Sequence, residues 1–264
     1  IRFILGFFVM IGALMFLGCP IRMILRLGGG DLNALFGIAG FAGGIGFGTI
    51  FLKKGYSLQR TYALSKLESA MMPAIQVGLL VLVVAAPAFI FFSQKGPGAM
   101  HAPWLISLAA GLVVGGLAQF SRLCTVGGFR DLFLFKKSIL IFGYLAVLIG
   151  VFVVNISFGN FHLGFENQPI AHTDGLWNFL GMALAGFCSV LLGGCPLRQL
   201  IMTGEGNSDS AVTVLGLAAG AAFAHNFGLA ASGAGPTLNG EIAVVVGFIV
   251  ALIIAVVNTK RANA

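Results

Sequence analysis

Two segments of this chain hold a cysteine in the same setting. One, "GCPIRMILRLGGG", begins at Gly18; the other, "GCPLRQLIMTGEG", begins at Gly194. Each sets a thiol (Cys19, Cys195) before a proline (Pro20, Pro196) and three residues before an arginine (Arg22, Arg198). Proline has a fixed φ and no N–H, so it favours the first turn of a helix. The cysteine then stands at the cap of a short helix, where unpaired N–H groups and partial positive charge gather. Such a terminus accepts anions and lowers a nearby thiol's pKa, and the arginine adds to the positive field. A thiol in this position is a stopping place for a small polarisable anion. The plainer alternative is a helix break filled by a small apolar side chain. Repetition of the motif, with Arg at the same offset, argues for the first reading.

A third cluster, "SRLCTVGGFRDLF", brings together Arg122, Cys124, Arg130 and Asp131. Arginine and aspartate near a membrane interior are costly and are usually functional or paired. For Arg130 and Asp131 an interfacial anchor is an equal alternative. Cys188 has neither Pro nor Arg beside it and reads as packing. His225 and Asn226 are polar for their apolar surroundings, which suits an interhelical hydrogen bond or a substrate contact. Glu205 and Asp209 are expected to cap helices or pair with arginines. His162, His172, Glu166 and Asp174 match no metal-ligand spacing, and no cofactor is expected.

These residues must be positioned by elements built for lipid. Of the 264 residues, 58% are hydrophobic and 9% charged, and mean hydropathy is +1.02. A soluble domain carries about a quarter charged residues, so a water-facing surface cannot be made from this chain. Eight apolar runs cover about 2–18, 32–52, 73–92, 103–120, 138–157, 175–193, 209–231 and 240–258. A transmembrane helix takes roughly 20 such residues. The fold class is therefore an all-α polytopic membrane protein of about eight transmembrane helices, forming one transmembrane domain over residues 1–264. The three cysteine pieces lie between apolar runs and are too brief to be domains. Irregular backbone at membrane depth survives only where it is buried or lines a wet cavity, so short re-entrant helices are expected there. The net charge of +7 sits in the connections rather than in aromatic-laced basic patches, so nucleic acid is set aside. With no CxxC pair or secreted-type framework, structural disulfides are not expected. The chain opens with Ile1 inside an apolar run, so further sequence upstream is expected.

Charge and repetition then give the topology. Lys53, Lys54, Arg60 and Lys66 in one connection, Lys136 and Lys137 in another, and Lys260 and Arg261 at the end face the cytoplasm if basic loops stay inside. Residues 157–174 contain no Lys or Arg and fall outside. One alternating path satisfies all loops and leaves the C-terminus cytoplasmic. On that path the first and sixth runs point in opposite directions. The pieces that follow them match at one offset through Gly28/Gly204 and Gly30/Gly206. The match extends to two GxxxG pairs, Gly40/Gly44 and Gly216/Gly220. An inverted-topology repeat is the expectation, with halves near 1–95 and 100–258 and a substrate site at broken helices near the midplane.

The segment "SRLCTVGGFRDLFLFKK" resembles the Gly-Arg-Phe-Cys, Gly-Gly-Phe-Arg-Asp segment of the YeeE/YedE membrane family. "LLGGCPLRQLIMTGEGN" is similar to that family's Gly-Gly-Cys segment, and "FLGCPIRMILRLGGGD" to its remaining cysteine segment. The resemblance implies an hourglass-like fold in the inner (cytoplasmic) membrane. It also implies a pathway in which Cys19, Cys124 and Cys195 pass thiosulfate by weak S–H hydrogen bonds, with a TusA-like sulfur carrier as a cytoplasmic partner. The Gly-Cys-Pro-Ile/Leu-Arg variants look closer to the YedE branch linked to selenium metabolism.

The functional expectation is a transporter, not an enzyme, for a small sulfur- or selenium-containing anion. The pathway residues are Cys19, Cys124, Cys195, Arg22, Arg198, Arg122, Gly18, Gly194, Pro20 and Pro196. Arg130, Asp131, Glu205, His225 and Asn226 are secondary candidates. Two alternatives stand beside it: a membrane thiol oxidoreductase or sulfurtransferase, and a channel for a small neutral solute.

Overall fold

The computed structural model describes residues 1–58, 66–86 and 102–262. Each of the eight apolar runs is helical: α1 (Arg2–Phe16), α3 (Asn33–Lys53), α4 (Lys66–Ala85), α5 (Trp104–Ser121), α7 (Ile139–Ser157), α8 (Gly175–Leu192), α10 (Ser208–Asn226) and α11 (Leu238–Ala262). The cysteine pieces form the short helices α2 (Pro20–Gly28), α6 (Thr125–Phe135) and α9 (Pro196–Gly204). No strand occurs among the described residues. Arg60 of the basic connection and residues 87–92 of the third run lie outside them.

Six helical stretches are long and apolar enough to cross a membrane, and three of these contain a break: Arg2–Gly28, Trp104–Phe135 and Gly175–Gly204. On this measure α4 and α10 fall short of the eight expected. α4 has a shorter apolar stretch, Pro73–Ala85, and α10 is diluted by polar residues from Asp209 to Asn226.

Glycine sets how closely the helices approach. Gly40, Gly44 and Gly48 are four residues apart and share one face of α3. A Cβ on Gly40 would strike the Phe179 carbonyl of α8, and one on Gly44 the Ala183 carbonyl. The same relation recurs between α10 and α1: Gly216 lies on the Phe3 carbonyl and Gly220 on the Phe7 carbonyl. The offset that takes Cys19 to Cys195 takes Gly40 to Gly216, Phe3 to Phe179, Gly44 to Gly220 and Phe7 to Ala183. Each triplet of helices, α1–α3 and α8–α10, therefore grips the other by the same contact.

The two triplets run in opposite senses. Residue numbers rise together along α3 and α8, so these helices are parallel; so are α1 and α10. Between α1 and α8, Gly181 meets Met15, and His172, just before α8, bonds the Met15 carbonyl at 2.8 Å. The start of α8 thus lies at the end of α1, and the pair is antiparallel. α11 lies along both, with Gly240 at Met15 and Gly247 between Phe8 and Leu184.

Apolar side chains of α4, α5 and α7 point outward, including Phe120 at 91% exposure and Ile139 at 79%. In water such a surface would aggregate; in a bilayer it faces hydrocarbon.

Candidate functional site

All three breaks are built alike. α1 ends at Leu17, α5 at Arg122 and α8 at Gly193, each in the left-handed conformation. The next residue donates its N–H back to a carbonyl in the last turn: Gly18 to Ala13, Leu123 to Ala118 and Gly194 to Ser189. This is a Schellman-type stop. The following residue is in every case the cysteine, in extended conformation, serving as N-cap of the next helix. Pro20 and Pro196 occupy the first helical position as expected. At the third break Thr125 stands there instead.

Gly18 and Gly194 have a steric role. A Cβ on Gly18 would meet the Arg22 side chain at 2.7 Å, and one on Gly194 would meet Arg198 at 3.3 Å. The glycine leaves room for the arginine stem to fold back over the break.

Two of the cysteines meet. Cys124 and Cys195 are buried at 8% and 1% exposure, and their side chains are in contact. Gly127 N–H donates to Cys124 Sγ at 3.3 Å. The N–H groups of Thr125 and Arg198 are directed at Cys195 Sγ. Two helix N-termini, those of α6 and α9, thus meet thiol to thiol, and each brings roughly half a positive charge. Cys19 is half-buried. Tyr144 of α7, in one buried cluster with Cys124 and Cys195, is within electrostatic reach of Cys19 as well.

Tyr144 escaped the reading of the sequence. Its hydroxyl is buried without a hydrogen-bond partner among the described residues, as is that of Thr125, which lies beside Cys195 without a formed bond. The Tyr144 ring packs on Phe129 at 5.8 Å and Phe129 on Phe41 at 6.0 Å. A signal did exist: tyrosine in membrane helices favours the interfaces, and this one stands inside an apolar run.

The charged candidates divide. Arg198 reaches Gln119 Oε1 at 3.2 Å and Glu205 at 3.5 Å, so Glu205 pairs with an arginine as expected. Asp209 does likewise with Arg2, at 2.9 Å. Arg22 Nε is buried without a partner among the described residues. Arg122 is the exposed end residue of α5. Arg130 and Asp131 pair with each other at 2.8 Å, about a quarter to a third exposed. His225 and Asn226 are exposed in the last turn of α10. Asn226 bonds the Ala222 carbonyl of its own helix at 2.7 Å, not a neighbouring helix. Cys188 is fully buried within the apolar core of α1, α8 and α11, as a packing residue should be.

A family model described as sulphur transport matches residues 120–263, more than half of the chain. The chain belongs to the sulphur transport (YeeE/YedE) family. A search of curated proteins returned no match. The match takes in Cys124, Tyr144 and Cys195; Cys19 lies outside it. This sulphur transport protein is a multi-pass membrane protein, and its family moves sulfur compounds. Its described residues contain no cluster of His, Cys, Asp and Glu able to hold a metal ion.

A second constellation lies at the far end of α2. Arg26 donates to Asp31 at 2.6 Å and to the Phe16 carbonyl, and stacks on the Phe16 ring at 4.0 Å. Asp31 also accepts from the backbone and side-chain N–H groups of Asn33, both at 2.9 Å. The connection after α7 is stitched to this turn. His162 N–H donates to Gly29 O, Gly164 N–H to Gly30 O, and Leu32 N–H to Gly164 O, all within 3.1 Å.

Proposed function

We propose that the protein passes a small sulfur- or selenium-containing anion, of the thiosulfate type, along Cys19, Cys124 and Cys195. The observation that carries this reading is the contact of two cap thiols, Cys124 and Cys195, at two helix N-termini; Cys19 caps a third break built in the same way. N–H groups and helix-end charge attract the anion. Soft thiols touch its polarisable sulfur or selenium with weak S–H hydrogen bonds. Each stop is weak, as a conduit requires, since the ligand must leave again. The unpaired hydroxyls of Thr125 and Tyr144 are further donors at this level. On this reading Arg22 and Arg198 flank the thiols, and the two opposed triplets belong to an inverted repeat with halves near 1–95 and 100–258. The protein sits in the inner membrane with its C-terminus in the cytoplasm, where a TusA-like carrier receives the sulfur.

The thiol contact also favours a second reading, a sulfurtransferase. A Cys195 thiolate would attack the outer sulfur of thiosulfate, forming a persulfide and releasing sulfite with the bonding electron pair.

Uptake of radiolabelled thiosulfate by cells expressing the full-length protein tests both readings. The Cys19→Ala, Cys124→Ala and Cys195→Ala variants run alongside, with cold selenium oxyanions as competitors. Cysteine-dependent uptake of intact thiosulfate supports the conduit, and competition identifies the branch. Stoichiometric sulfite release points to the transferase. Uptake indifferent to all three substitutions rejects both.

A further inference from the structure

An anion of the thiosulfate type carries two negative charges. A membrane that is negative inside drives such an ion outward by about three decades of concentration per 100 mV. A line of thiols supplies no force against that, so accumulation requires a cation that travels with the anion. Histidine is the side chain whose charge ordinarily changes between pH 5 and 8. His172 is the one buried histidine among the described residues, and the thiol pathway gives it no role.

His172 is 1% exposed, in the connection leading into α8. Its Nε2 lies 2.8 Å from the Met15 carbonyl; a carbonyl only accepts, so Nε2 carries a hydrogen. In the neutral ring Nδ1 is then a bare lone pair, and it has no partner among the described residues. Asn178 donates to the His172 carbonyl at 3.0 Å. Asn33 is bonded at 2.9 Å to Asp31, a carboxylate within electrostatic reach of the imidazole. The Oδ1 atoms of both asparagines are likewise buried without a donor among the described residues. Three acceptors in this polar cluster therefore lack a hydrogen, against one unpaired donor, Arg26 Nη2. A proton on Nδ1 turns one acceptor into a donor and brings the count to two of each. The charged groups facing the ring are Arg26 of α2, Asp31 in the turn after it, and Asp174 from the ring's own connection. α1 presents the Met15 carbonyl, and α11 brings Glu241 next to the Gly240 that packs on Met15.

The position ties the ring to the pathway. Met15 is in the last turn of α1, four residues before Cys19, and the next carbonyl, that of Phe16, takes Arg26. A charge on His172 thus stands against the end of the helix whose break carries the Cys19 thiol. We propose that His172 binds a proton that accompanies the anion inward, so that the protein works as a proton–anion symporter. The proton enters on Nδ1 while Nε2–H stays on Met15. The imidazolium cancels one of the anion's two charges and adds the pH gradient to the driving force. When the anion leaves on the cytoplasmic side, the charge that favoured the imidazolium is gone and the ring gives up its proton there. The inference deepens the transport reading and rests on it for substrate and direction of travel.

The test is radiolabelled thiosulfate uptake into proteoliposomes of the purified full-length protein, with the membrane potential clamped at zero and an inward proton gradient of about one pH unit. One proton per anion gives about tenfold accumulation, with proton entry read by a trapped pH indicator. His172→Gln keeps a donor for the Met15 carbonyl but cannot titrate, so it should equilibrate thiosulfate without accumulating it. Asp174→Asn keeps a side-chain cap for Trp177 N–H and removes a carboxylate facing the ring, so the pH of half-maximal uptake should fall. Wild-type accumulation indifferent to the gradient, or unchanged accumulation in His172→Gln, overturns the proton site. If His172→Gln does not fold, an unshifted pH profile in Asp174→Asn overturns it. Gradient-driven, His172-dependent accumulation that survives all three cysteine substitutions keeps the proton site and rejects the thiol conduit. Cysteine-dependent flux with no response to the gradient does the reverse, and no thiosulfate flux in the wild type rejects both.

Discussion

Gly40 of α3 lies directly against the carbonyl oxygen of Phe179 on α8, with no space for a side chain between them. Gly216 and Phe3 repeat that relation between α10 and α1. Helices in lipid gain stability by such close approach, since no hydrophobic drive joins them there. Overpacking at a filled contact costs about 1–3 kcal/mol. Gly40→Val and Gly216→Val should each lower the unfolding temperature in detergent. Gly111→Ala, on a face of α5 with nothing within 4 Å among the described residues, should leave it unchanged.

Arg26 and Asp31 form an ion pair at 5% and 3% side-chain exposure. Removing one partner of a buried pair strands the other, at about 3–5 kcal/mol. Arg26→Met should destabilise the protein by that order in denaturant titration. Arg26→Met combined with Asp31→Leu should recover part of the loss.

The cysteines should differ in reactivity. Half-buried Cys19 should alkylate first in a maleimide time course, and Cys188, at 0% exposure, last. A mild oxidant should join Cys124 to Cys195, detected as a cross-linked peptide pair by mass spectrometry. A pair containing Cys188 would contradict the packing described here.

Tyr144→Phe separates fold from function. Loss of an unpaired buried hydroxyl should leave stability equal or higher by about 1 kcal/mol. If that hydroxyl serves the passing anion, thiosulfate uptake should fall about tenfold while the thermal melt holds.

His172 carries a pH dependence. Burial holds its imidazole below the ordinary value of 6.5, with the bond to the Met15 carbonyl opposing that shift. The unfolded chain therefore takes up the proton more readily than the folded one. The stabilising contribution is complete above about 6.5 and declines as pH falls through the folded value. Melting temperatures from pH 8 to 5 should drop on acidification, and His172→Gln should flatten the profile.

Much of this site was legible because proline and glycine constrain backbone directly. Pro20 and Pro196 marked two helix starts, and the offset between them carried through to Gly40 and Gly216. The third break was visible as a polar interruption, but nothing there announced a Schellman-type stop on Arg122. Tyr144 and the Arg26–Asp31 pair were overlooked because their partners lie on other turns or other helices, where local patterning does not reach. His225 and Asn226 looked buried because an apolar window records depth along the chain. It does not record which side of the helix faces outward.

The α3–α8 and α1–α10 contacts also govern how the chain can be assembled. Membrane proteins emerge from the ribosome N-terminus first, so α1 and α3 enter the bilayer long before α8 and α10 exist. Until then their glycine faces meet only lipid, which cannot supply the carbonyl-to-glycine fit they are shaped for. The early helices must wait as loosely associated spans, and the thiol cluster closes only when the last third of the chain has been inserted.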